Sequence, residues 1–119
     1  EAETIHALAH FKNAGLIKST EENLKDAIDG ETFEFDSMYP KMIEEAKEEE
    51  KNAALRGFKL ALGAEQSHAK MYSEALENLN AKEDKHVYLC KVCGYVNAGE
   101  KPEICPVCGA KALAFSEIK

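Results

Sequence analysis

Glu-x-x-His-Ala occurs twice in this chain, as ETIHA at residues 3–7 and as EQSHA at 65–69. A Glu and a His three positions apart project from one side of an α-helix, so a carboxylate and an imidazole can reach one metal ion. A single such pair is an ordinary surface or capped pair far more often than a ligand set. What raises these two above that is where they sit. Over residues 52–79, Leu55, Phe58, Leu62, Glu65, Ala69, Tyr72, Leu76 and Leu79 recur at three-four spacing, which predicts a helix whose apolar stripe contains Glu65, with His68 beside it. A carboxylate in a buried seam must be paired, neutralised or metal-bound, and Lys59 and Lys70 fall off that seam.

The first pair has the same setting: Glu3, His6, Ala7 and His10 share a face of a helix whose other apolar residues are Ile5, Leu8 and Phe11. Between the two pairs, Glu31, Glu34 and Met38 fall on one face, flanked by Ile28, Phe35 and Met42. A helical-bundle site for two irons takes Glu-x-x-His from each of two helices and a single Glu from each of two others. The chain supplies Glu3/His6, Glu65/His68 and one single-Glu helix, with Glu31 and Glu34 available, but no fourth helix. Carboxylates mixed with imidazole suit iron or manganese better than copper or structural zinc. His10 reads as an ordinary core or surface histidine.

The four cysteines all fall within residues 90–108, as Cys90-x-x-Cys93 and Cys105-x-x-Cys108 in CKVCGYVNAGEKPEICPVCG. Two such knuckles converge on a tetrahedral thiolate site, and with no secretory segment in view a metal is favoured over disulfides. Four thiolates bind iron and zinc alike, so a zinc ribbon is the alternative.

These ligands need positioning elements, and punctuation in the sequence divides them. Residues 1–14 read as a helix stopped by Gly15. Ser19 and Glu22 form a capping box opening a second helical stretch that runs to about residue 50, with Pro40 kinking or loosening it. The charge run EEAKEEEK at 44–51 reads as a solvated helix end. The third helix covers 52–79, and the polar stretch NAKEDKH at 80–86 links a helical domain over 1–80 to a Cys-rich, β-prone domain over 87–119. Acids outnumber bases 22 to 15, a net charge of −7, which argues against nucleic acid as a partner. No apolar run approaches the ~20 residues of a membrane span, so a cytoplasmic, membrane-free protein is expected.

Taken in order, ExxHA, GETFEFDSMYP, AEQSHAKMY, YLCKVCGY and PEICPVCGA resemble the rubrerythrins. The resemblance implies a mainly α fold: a ferritin-like four-helix bundle, with only about three helices in this chain, followed by a small β-rich rubredoxin-like metal knuckle domain. It implies Glu3 and Glu65 as bridging carboxylates, His6 and His68 as imidazole ligands, Glu31 as a terminal carboxylate, and Glu34 as a carboxylate that exchanges with His6 when the redox state changes. It places one iron on Cys90, Cys93, Cys105 and Cys108, where zinc could stand after preparation, and two non-haem irons in the bundle. The Gly94-Tyr95 and Pro106 positions favour iron at the cysteines. The implied activity is reduction of hydrogen peroxide to water in oxidative-stress defence. Electrons would come from an external rubredoxin or NAD(P)H-dependent reductase, since no G-x-G-x-x-G loop is present, and the chain would form a homodimer or higher homo-oligomer. Relative to the family, the sequence is expected to lack the N-terminal helix that carries the remaining Glu ligand, together with part of the next helix. Ferroxidase activity on the same scaffold, a non-catalytic helical protein with a structural zinc ribbon, and an electron carrier with a disabled bundle are the alternatives.

Overall fold

The computed structural model describes residues 2–81 and 85–118; Glu1, Lys119 and residues 82–84 of the expected linker lie outside the described residues. Helix α1 (Ala2–Asn13) closes with Gly15, whose N–H bonds Lys12 O while Leu16 N–H bonds Phe11 O. Helix α2 (Thr20–Phe33) opens on the predicted capping box, with the Ser19 hydroxyl accepting from Glu22 N–H and the Glu22 carboxylate accepting from Ser19 N–H.

Pro40 brings about the predicted loosening in a particular form. Residues Glu34–Met38 make a π-helical turn, in which Tyr39 N–H reaches back five residues to Glu34 O. The wider turn lets α3 (Tyr39–Glu48) begin with Pro40 in its first turn, where a missing N–H costs least. After a tight reversal α4 (Asn52–Glu77) runs back along both α2 and α3. The buried residues of these helices are Ile43 and Ala46 on α3 and Ala64 and Ala69 on α4. The predicted stripe of α4 is sheltered from Leu55 to Ala69, while Tyr72 and Leu79 are partly exposed.

Helix α1 behaves differently from expectation. It packs substantially on no other described element, and Ile5, Leu8 and Phe11 are 67%, 55% and 52% exposed. Its apolar face finds no substantial partner among the described residues.

The Cys-rich part is a three-stranded antiparallel sheet in the order β2-β1-β3, with β1 Val87–Cys90, β2 Val96–Ala98 and β3 Phe115–Ile118. Its core is Cys90, Cys105 and Phe115, with Tyr95 edge-on to Phe115. The fold is thus mainly helical with a small C-terminal sheet carrying the cysteine knuckles, and no helix among the described residues is long and apolar enough to cross a membrane.

Candidate metal centres

The two knuckles repeat one hydrogen-bond pattern. Cys90 N–H donates to Tyr95 O and Cys105 N–H to Ala110 O; Gly94 N–H returns to Cys90 O and Gly109 N–H to Cys105 O. Each turn needs a left-handed residue just after its second cysteine, and Gly94 (φ +85°) and Gly109 (φ +73°) supply it.

The four sulfurs converge so that Cys90 Sγ lies 3.7 Å from Cys108 Sγ and Cys93 Sγ 3.6 Å from Cys105 Sγ. A disulfide would need about 2.05 Å. A tetrahedron with metal–sulfur bonds of about 2.3 Å has sulfur–sulfur edges of about 3.8 Å, which these distances match. Burial raises the thiols of Cys93 and Cys108. At Cys90 burial, the largest single influence, works upward, but N–H groups of Val92 and Cys93 aimed at its sulfur, together with the Cys108 and Cys93 side chains, bring it to about 7, favouring thiolate.

The second cluster is Glu31 from α2 with Glu65 and His68 from α4, whose ligand atoms all lie within 4.8 Å of one another. His68 Nδ1 is 2.8 Å from Glu65 Oε2 and 3.6 Å from Glu31 Oε2. Glu31 Oε2 is buried and has no hydrogen-bond partner, the condition of an atom that a cation would satisfy. Burial first, then contact with the Glu65 carboxyl and the charges of Glu65 and Glu34, push Glu31 up to about 7, with His68 pulling the other way. Tyr39, which spacing did not single out, stands beside the same carboxylates: burial and then the charges of Glu65, Glu34 and Glu31 hold its phenol protonated. The π turn beginning at Glu34 is what brings Tyr39 there, and sequence spacing does not display it.

The remaining predicted ligands are not gathered here. Glu34 is half-buried and is felt electrostatically by Glu31, yet lies outside the compact triad. Glu3 and His6 are a loose pair, 3.7 Å apart and 93% and 64% exposed, on the unpacked α1, and His10 is exposed on the same helix. Among the described residues no element packs that helix substantially against the triad.

The two clusters touch. The outer nitrogen of His68, Nε2, is 3.0 Å from the carbonyl oxygen of Gly94, the residue after Cys93. A carbonyl only accepts, so Nε2 carries the proton and Nδ1 is left to face the carboxylates, the orientation that a ligating imidazole requires. Ser67 Oγ donates to Val96 O at 3.1 Å one residue earlier on α4. Both donor sets fit metals: four thiolates in tetrahedral array, and two carboxylates with one oriented imidazole.

The family model described as "Rubrerythrin" matches residues 2–76, and that described as "Rubrerythrin, rubredoxin-like domain" matches residues 88–116. Among curated relatives, Rubrerythrin-2 of Clostridium acetobutylicum is 43% identical over 94% of this chain and 60% of its own length. Nigerythrin of Nitratidesulfovibrio vulgaris is 39% identical over 76% of this chain and 45% of its own. The chain therefore spans about half the length of the curated relatives it matches. Among solved structures, the mixed-valence and the fully reduced, all-ferrous states of nigerythrin superpose with TM-scores of 0.82 and 0.81, each at 36% identity over 85% of this chain and 50% of the other.

Proposed function

Because this chain belongs to the rubrerythrin family, we propose that it forms the peroxide-reducing core of a non-haem di-iron peroxidase. The observation that carries this reading is the hydrogen bond from His68 Nε2 to Gly94 O, which joins the carboxylate cluster to the cysteine cluster through one imidazole. A ferroxidase has no use for a cysteine centre so joined, and a structural zinc ribbon has no use for a carboxylate triad at its edge.

In this reading Glu31, Glu65 and His68 hold iron in the bundle, and Cys90, Cys93, Cys105 and Cys108 hold a single iron. Bound iron supplies the two electrons that cleave the O–O bond, H2O2 + 2e⁻ + 2H⁺ giving two waters. The chain's own residues do the rest. Glu65 and Glu31 set the charge at the cluster. His68 is fixed in ring orientation by Gly94 O, so its Nδ1 lone pair stays aimed inward. Tyr39 holds a proton at its Oη beside the carboxylates, within reach of the cluster. Cys93, Gly94 and His68 would form the bonded route by which an iron held at the cysteines could pass electrons to the carboxylate cluster, with a reductase or small redox protein as their external source.

Glu3 and His6 join the ligand set when α1 lays its apolar face, Ile5, Leu8 and Phe11, over the triad, and Glu34 is the exchangeable carboxylate. A second copy of the chain is the assembly partner. Supplied with an artificial reductant, the iron-loaded chain should consume hydrogen peroxide, and Glu65→Ala should not. Uptake and oxidation of ferrous iron by oxygen, with no peroxide turnover, would put iron handling in its place.

A further inference from the structure

Helix α4 presents two surfaces. Phe58 faces Tyr39 of α3 and Glu65 faces Glu31 of α2, while Gly63, Ala64 and Ser67 face the cysteine module, and His68 lies between the two and reaches both. On the second surface Gly63 has a neighbour that no side chain would permit. A Cβ built on it would stand 2.8 Å from Val107 Cγ1 and 3.4 Å from Cγ2. Carbon atoms prefer about 3.5–4.0 Å. Val107 is β-branched and stiff at χ1, and it is held between Cys105 and Cys108, so it has little room to give. Elsewhere the same surface is in ordinary contact, a Cβ at Gly94 standing 3.9 Å from the Ala64 methyl.

Gly57 provides an internal comparison. It occupies the same helix, and a Cβ there would meet nothing within 4 Å. Glycine weakens a helix interior relative to alanine at either position, but only at 63 does the missing side chain make room for another part of the molecule.

We infer that Gly63 is the seat for Val107 that sets the separation of the two metal centres: its bare Cα lets the second knuckle lie on α4, and the first knuckle then brings Gly94 O within reach of His68. Gly63 is a positioning residue that touches neither ligand set. The seat stands on the packing alone; its consequence for electron transfer rests on the function proposed above.

The test uses the full chain loaded with zinc at the cysteines, which is diamagnetic, so that nuclear Overhauser effects between the Ala64 methyl and Gly94 Hα can be read together with the amide shift of Asn97, next to the Val96 carbonyl that Ser67 engages. Gly63→Ala and Gly63→Val should weaken and then abolish those Overhauser effects, with one zinc per chain retained. Gly57→Ala should leave them intact, and Val107→Ala added to Gly63→Ala should restore them. In iron-loaded protein, the peroxide-driven oxidation of the cysteine-bound iron should slow by roughly ten- to a hundredfold in Gly63→Val, the scale of a misplacement of about an ångström, and recover in the Gly63→Ala/Val107→Ala pair relative to Gly63→Ala. Overhauser effects that persist in Gly63→Val, or that Val107→Ala fails to restore to Gly63→Ala, would overturn the seat. Their disappearance with oxidation unslowed would leave the seat standing and remove the relay from the proposed function.

Discussion

A carboxyl group buried against a second carboxyl keeps its proton to higher pH, and Glu31 is in that position. Its value of about 7 in the folded chain, against 4.5 ordinarily, means that the fold holds a proton that the unfolded chain releases. The sign follows: Glu31's favourable contribution is full below about pH 4.5 and is lost as pH rises through about 7. In metal-free protein, urea midpoints for the native chain should therefore fall between about pH 5 and about pH 8 more steeply than those of Glu31→Gln, which has no proton to lose there. Equal slopes would remove the coupling. Spacing offered Glu31 together with Glu34 without choosing between them, whereas Glu65, His68 and the four cysteines stood out directly, because an i, i+3 pair on an apolar stripe and two Cys-x-x-Cys turns are local patterns. Tyr39 and Gly63 were not. One reaches the site through a π turn, the other matters only because residue 107 folds onto it, and neither fact lies in its neighbours along the chain.

The helix ends read well wherever the sequence used the usual residue. Gly15 ends α1 in a Schellman arrangement, and the same pair of bonds ends α3, Glu50 N–H to Lys47 O and Lys51 N–H to Ala46 O. There the left-handed position is filled by Glu50 at φ +56°, so the sequence carries no stop signal. Replacing it removes a penalty of about 1 kcal/mol, and Glu50→Gly should raise the unfolding free energy by that order, measured by denaturant titration. Ser19→Ala should lower it by about 1 kcal/mol through loss of the capping box. Pro40 announced a disturbance in the second helix but not its form, since a kink and a π turn both absorb a missing N–H. The face of α1 was legible as apolar, while its lack of a covering partner among the described residues is a tertiary fact that no periodicity encodes.

At the scale of the whole molecule, the two parts draw on different sources of stability. The bundle buries a seam of aliphatic side chains, whereas the core of the cysteine module is two of its own ligands and Phe115. A metal bound by such a module contributes folding free energy directly. A strong chelator should therefore abolish the dispersed amide signals of residues 87–118 while far-UV circular dichroism keeps most of its helical amplitude. That the chain has a helical part and a cysteine part was evident from composition alone; that the knuckles press against α4 at Gly63, Ser67 and His68 was not, because the contacts join residues 26 to 44 positions apart with no shared motif.

In the proposed function the cysteine centre and the carboxylate cluster act as one electron path ending at peroxide. That path is open to a single rapid-mixing experiment: reduce the iron-loaded chain fully, mix it with hydrogen peroxide, and follow the thiolate-to-iron absorption of the cysteine centre. The band should return in the native chain as peroxide is consumed and should lag far behind in Glu65→Ala and His68→Ala. A band that returns equally fast in those variants, or that stays absent while the native chain consumes peroxide, would mean that the two centres share no such path.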